Sequence, residues 1–80
     1  MLKNKSQSPI PSFRKVAIQL AFPEAIRAVI GGAKIQRLEW TDKKEYGLLQ
    51  DSFLKIHKKG EIHNWIVSEG DLMARDWVIV

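Results

Sequence analysis

Residues 46–67, YGLLQDSFLKIHKKGEIHNWIV, decide the fold. Tyr46-Gly-Leu-Leu-Gln50 and Phe53-Leu-Lys-Ile-His57 read as two strands joined by Asp51-Ser52, a pair of turn-forming residues. Lys58-Lys59-Gly60-Glu61 is a second hairpin tip, and Ile62 to Val67 is the strand that returns from it. Strands joined by turns this short pair antiparallel, since a parallel pair needs a crossover of a dozen residues or more.

Working towards the N-terminus, Thr41-Asp42-Lys43-Lys44 is a turn, and before it the sequence has a period of two. Lys34, Gln36, Leu38 and Trp40 fall on one face of that strand, with Ile35, Arg37 and Glu39 on the other. Before the strand comes a helix. Pro23 pre-sets the φ of a first helical turn and Glu24 suits the positive end of the helix dipole. Phe22, Ile26, Val29 and Ile30, at i, i+4, i+7 and i+8, form one apolar stripe, and Gly31-Gly32 supplies the left-handed C-terminal cap. A helix of about 9 residues is too short to hold by propensity, so its stripe must pack on the sheet.

Phe13 to Leu20 alternates at Val16, Ile18 and Leu20 and is expected as an edge strand. Met1 to Ser12 is polar, basic and broken by Pro9 and Pro11, which reads as a flexible tail. The expected organisation is a basic N-terminal tail over residues 1–12 and a single α+β ligand-binding domain over residues 13–80. Its fold class is α+β: one short N-terminal helix packed on a twisted antiparallel β-sheet of about five strands.

The C-terminal stretch NWIVSEGDLMARDWVIV, from Asn64, carries the polar groups. Trp65 and Trp77 bracket Ser68, Asp71 and Asp76. Ser68-Glu69-Gly70-Asp71 looks like a turn, Leu72-Met73-Ala74-Arg75 allows one helical turn at most, and Trp77 onward alternates as a strand. Polar groups on a loop anchored at both ends by large aromatics suit a binding site. The plainer alternative makes both tryptophans core and the loop a connection.

Charge and length exclude several classes. The net charge is +4, and Lys3, Lys5, Arg14 and Lys15, with no acid among the first 15 residues, account for all of it. The remaining residues hold nine basic and nine acidic side chains, so the body is not a basic nucleic-acid-binding domain. The 80 residues include no cysteine, which removes disulfides and thiolate metal sites. No apolar run approaches the roughly 20 residues that span a bilayer, and the N-terminus lacks a secretory apolar region. A cytoplasmic protein that gains stability by oligomerising is the natural expectation, because a chain this short buries only about 60–65% of its unfolded surface.

Catalysis finds little support. His57 and His63 flank the hairpin tip, within reach of each other, but two histidines without a third ligand make a poor metal site. Asp71 and Asp76 do not define an acid–base pair by spacing, and Asp71 suits a cap for the turn at Leu72. Gly31-Gly32 follows a helix, whereas phosphate cradles precede one. The expectation is a protein with no catalytic residues, metal or cofactor. Binding fits better. Trp40, Tyr46 and Trp65 offer flat faces for a purine, Arg37 offers donors to a phosphate, and Ser68 with the amides near Gly70 suits a ribose or phosphate.

Two signatures then meet a known pattern. Phe22-x-x-Ala25-Ile26 followed by Gly32-x-Lys34-Ile35-x-Arg37-x-x-Trp40, and Trp65-x-x-Ser68-x-x-Asp71-Leu72-x-Ala74-x-Asp76-Trp77, resemble the phage and prophage family of type-two Thoeris anti-defence proteins. The resemblance runs from Phe22 to Val80. Tyr46 and Gly60 also fall where that family has an aromatic and a glycine. The chain departs from it at Glu39 and Thr41-Asp42 around the first tryptophan and at Val67, where the family often has proline, and its first 21 residues are an addition.

The resemblance implies a sponge. Its members bind, without cleaving it, the cyclic ADP-ribose isomer made by Thoeris immunity, and some also hold cyclic di- or trinucleotides at separate sites. They are homotetramers in the bacterial cytoplasm, with pockets built between subunits, and neither a membrane nor a nucleic acid is the partner implied. Carried over, Trp40 stacks the base, Arg37 faces phosphate, Ser68 and Asp71 hydrogen-bond ribose or base edges, and Trp65 positions their loop. The competing expectation is a small structural or protein-interaction domain whose aromatics form an oligomerisation interface.

Overall fold

Helix α1 spans Phe22–Ile30, with Pro23 in its first turn and Glu24 beside it. It is the first helix of the described chain but begins after 21 residues, so it is not at the N-terminus. A computed structural model of the chain describes residues 18–80. The tail expected over residues 1–12 lies outside that range, as does most of the edge strand expected over Phe13–Leu20. Of that strand, Leu20 forms an isolated antiparallel bridge: its N–H donates to Trp77 O (2.7 Å) and the Trp77 N–H donates to Leu20 O (3.1 Å).

The left-handed residue that ends α1 is Gly32, at φ +105°, and its N–H donates to Val29 O (2.9 Å). The residues of α1 that enter the core are Ala25 and Val29, both buried, with Phe22 packed against them, while Ile26 is half-buried beside that face. Ile30, expected in the stripe, is 66% exposed. Positions i, i+3 and i+7 keep the packing residues over the sheet, whereas Ile30 sits one residue before the cap, at the helix end.

Five strands follow: β1 (Ile35–Arg37), β2 (Tyr46–Gln50), β3 (Phe53–Lys58), β4 (Glu61–Asn64) and β5 (Trp77–Ile79), with a one-turn helix α2 (Glu69–Met73) before the last. They make one antiparallel sheet in the order β4-β3-β2-β1-β5. Both hairpins have two-residue loops at positive φ, Asp51 (53°) with Ser52 (69°) and Lys59 (52°) with Gly60 (79°). Those angles match the twist of the flanking strands and fix the register.

Two strands are shorter than the alternation suggests. β1 stops at Arg37 because Leu38 and Glu39 turn, and the Trp40 N–H donates back to Arg37 O (3.1 Å). Trp40 therefore does not share a strand face with Gln36. Gln36 is buried, and its side-chain amide donates to the carbonyls of Lys43 (2.8 Å) and Glu45 (2.9 Å), which pins the loop leading into β2. β4 ends at Asn64; the next N–H, of Trp65, still donates to Leu54 O (3.3 Å), and the Trp65 side chain is buried.

The core lies between α1 and one face of the sheet: Ala25, Val29, Ile35, Ile56, Trp65, Ala74 and Trp77, flanked by Leu20, Phe22, Trp40, Leu54 and Val67. α1 packs on β5, β1 and β2 but not on β3 or β4. One end of the inner sheet face is thus left without a helix over it. No helix among the described residues is long and apolar enough to cross a membrane.

Candidate functional site

The uncovered end of the inner face holds a groove whose floor is Trp40 and Trp65, with Trp77 packed against both from within the core. Trp77 is fully buried and Trp65 nearly so; Trp40 is partly exposed. Trp40 meets Trp65 edge-on at 6.2 Å between ring centroids and Trp77 at 5.4 Å, while Trp65 meets Trp77 at 5.6 Å. Phe22 closes the cluster against Trp65 and Trp77. Such edge-to-face contacts add roughly 0.5–1.5 kcal/mol each beyond area burial, so the floor is a rigid block. Its closeness to the sheet depends on Gly47. A Cβ there would collide with Cζ3 of Trp65 and lie 2.9 Å from its Cε3. The indole lies where only a glycine leaves room.

The groove has a volume of about 470 Å³. Trp40, Trp65, Ile56 and Ile66 give it apolar surface. Lys58, His63 and Asn64 reach it from the β3–β4 hairpin, and Glu45 and Asp71 from the loops.

Behind Asp71 stands an ion-pair network centred on Arg37. Arg37 Nε donates to Asp76 Oδ1 (2.9 Å), one terminal nitrogen to Asp71 Oδ1 (3.1 Å) and the other to Glu39 Oε1 (3.1 Å). The Asp76 carboxylate also accepts from the Glu39 N–H (2.9 Å), and Asp76 O accepts from the Leu38 N–H (3.1 Å). Burial opposes both charges, but the hydrogen bonds and mutual attraction outweigh it. Arg37 is pushed further up, and Asp76 is held below the usual carboxylate range.

Ser68 is the N-cap of α2. Its hydroxyl oxygen accepts from the Asp71 N–H (3.1 Å), and Ser68 O accepts from the Leu72 N–H. The expected cap at Asp71 is therefore replaced by one three residues earlier, because Ser68 occupies the last extended position before the turn. Asp71 O in turn accepts from the Trp77 indole N–H (3.2 Å), which ties the loop to the core.

The five residues expected to bind ligand thus form one connected assembly with two tiers. Trp40, Trp65 and Asp71 line the groove; Arg37 and Ser68 hold Asp71 from behind. Sequence reasoning missed Lys58, Asn64 and Glu45 and weighed His63 only as half of a poor metal site. The hairpin loop carried the signal for His63. A two-residue turn at Lys59-Gly60 pairs Ile56 with His63 and His57 with Ile62. The two histidines therefore point to opposite faces rather than towards each other. His57 stacks on Tyr46 (4.8 Å, 7° between planes) on the outer face, so Tyr46 is turned away from the groove. Among the described residues no three His, Cys, Asp or Glu side chains are grouped to hold a metal ion.

A family model described as Tad2-like, the Thoeris anti-defense 2-like domain, matches residues 20–80. No curated protein matches the chain.

Proposed function

The chain belongs to the Thoeris anti-defense 2-like family, and from that premise we propose that it is a sponge for a signalling nucleotide of the cyclic ADP-ribose type, held without cleavage. Family membership supports an anti-defence role against Thoeris. The groove over Trp40 and Trp65 is the observation that carries the finer reading. Its volume of about 470 Å³ falls within the 300–1,000 Å³ of small-molecule sites. Its apolar floor suits a base, and the polar groups at its rim suit ribose and phosphate.

Retention without chemistry is favoured by what surrounds the carboxylates. Asp71 and Asp76 are both paired with Arg37, and Asp76 is held below the usual range, the wrong direction for a general base poised near neutral pH. Sequestration requires tight stoichiometric binding. A nanomolar constant corresponds to about −12 kcal/mol, within reach of a preorganised pocket.

The reading as an oligomerisation domain draws on a specific feature too. Ile66, at the groove's rim, is 89% exposed, which suits a groove closed by a second copy in a homo-oligomer such as a tetramer. The experiment is to incubate purified protein with cyclic ADP-ribose isomers and cyclic di- and trinucleotides, remove free ligand, heat-denature, and analyse what is released. Intact nucleotide in stoichiometric amount is expected. Hydrolysed nucleotide would make the protein an enzyme, and no nucleotide from any isomer would leave oligomerisation as the function.

A further inference from the structure

We propose that the groove is electrically polarised, with Lys58 and His63 of the β3–β4 hairpin taking the phosphates of the bound nucleotide and Arg37 serving only to position Asp71. This rests on the nucleotide-binding reading above and assigns the ends of the ligand within it.

Arg37 is the wrong group for a phosphate in this setting. Three of its five N–H donors are taken by Asp76, Asp71 and Glu39, and its side chain is 12% exposed. One cation among three carboxylates leaves the neighbourhood net negative. A phosphate arriving there would gain one partly screened attraction and meet three repulsions at similar range. Asp71, by contrast, is presented well. Arg37 engages its Oδ1, Ser68 caps its backbone and Trp77 holds its carbonyl, which leaves Oδ2 an oriented acceptor for a ribose hydroxyl or a base N–H.

The opposite wall offers a cation, Lys58, with Glu61 across from it in the register and His63 beside them. The register pairs Lys58 with Glu61 and Ile56 with His63, which sets Lys58, Ile56 and His63 on the face carrying Gly47 and Trp65. Both Lys58 and His63 line the groove. Among the described residues Lys58 makes no ion pair, so its ammonium has three donors available. His63 Nε2 lies 3.6 Å from Glu61 Oε1, an exposed carboxylate beside the hairpin tip. Glu45 is the remaining charge on the lining and comes from the loop that carries Trp40.

The wall is also stiff. The turn at Lys59-Gly60 is two residues long, and Lys55 Nζ bonds Asn64 Oδ1 (2.6 Å) across the strands. A nucleotide entering with its base over Trp40 would therefore align phosphate to the hairpin and hydroxyls to Asp71.

Isothermal titration of the full chain with cyclic ADP-ribose, and separately with adenosine, tests this in the parent, Lys58→Met and His63→Gln. A lost charge-assisted hydrogen bond predicts a weakening of about ten- to a hundredfold for cyclic ADP-ribose in Lys58→Met. A smaller loss is expected in His63→Gln, and a flatter salt dependence in Lys58→Met, which loses a charge. Adenosine, which has no phosphate, should bind parent and variants alike. Thermal midpoints should not move, because Lys58 is exposed. Equal affinity of parent and Lys58→Met for cyclic ADP-ribose would overturn the assignment while leaving the nucleotide-binding reading intact. A parent that binds neither probe would overturn both.

Discussion

Gly47 is the residue on which the site's geometry turns. Any side chain there displaces Trp65, and Trp65 touches Trp40, Trp77 and Phe22, so the shift spreads through the whole floor. Gly47→Ala should improve the intrinsic strand preference by a few tenths of a kcal/mol yet lose stability overall, by about 1–3 kcal/mol for an overpacked core. That corresponds to a fall in thermal midpoint of roughly 4–24 °C for a domain of this size. Tryptophan fluorescence should change with it, and nucleotide affinity should fall. An unchanged midpoint with an unchanged spectrum would show that the indole does not rest on this glycine. The sequence offered Gly47 only as one letter of a strand. Its importance comes from Trp65, eighteen positions away, and no local pattern links the two.

At the scale of elements, the loop with α2 is held to β1 by the Arg37 network. A depressed carboxylate contributes stability that is fully present above its unfolded pKa of about 3.9 and is lost as pH falls through its folded value. Arg37, pushed up, stays charged at any working pH. The thermal midpoint should therefore hold from neutral pH to about pH 5 and decline below about pH 4. Asp76→Asn should lower the midpoint at pH 7 by the equivalent of about 1–3 kcal/mol, since it weakens a largely buried charged pair. It should also flatten the acid limb of the profile. Parallel profiles for parent and variant would remove Asp76 as the source of the acid sensitivity.

These elements divide by how local their causes are. Helix α1, both hairpin loops and β5 could be read from the chain because Pro23, Gly32, Asp51-Ser52 and Lys59-Gly60 each act within a few residues. Ser68 was legible as a loop residue but was not chosen as the cap. The choice between Ser68 and Asp71 depends on where the extended segment after Trp65 ends. Which side of α1 faces inward, Ala25 or Ile30, was not legible, because the sheet decides it. The groove was half legible. Trp40, Trp65 and Asp71 belong to conspicuous aromatic and polar stretches, whereas Lys58 and His63 join them only through strand register.

For the whole molecule, the unusual quantity is apolar surface left in contact with water. Ile66 is 89% exposed and Met73 72% exposed, and Phe53, Leu72 and Ile30 are also more than half exposed. Ile66 sits on the rim of the nucleotide groove, and Leu72 and Met73 lie beside Phe22 and Pro23 along a second groove of about 480 Å³ on the other side of α2. Single exposed apolar residues need no explanation, but several around one loop suggest a surface that associates. Light scattering at micromolar concentration should give the mass of a homo-oligomer rather than the 9.2 kDa of one chain. Ile66→Asp should shift that mass downward, because a carboxylate buried at an interface is costly unless paired. The same variant separates two roles of assembly. If a second copy closes the groove, dissociation and loss of nucleotide affinity should occur together. If one copy holds the ligand alone, the dissociated variant should still bind it. A parent that stays a folded monomer on concentration and dilution would remove the shared pocket and leave the Trp40–Trp65 groove to act within a single chain.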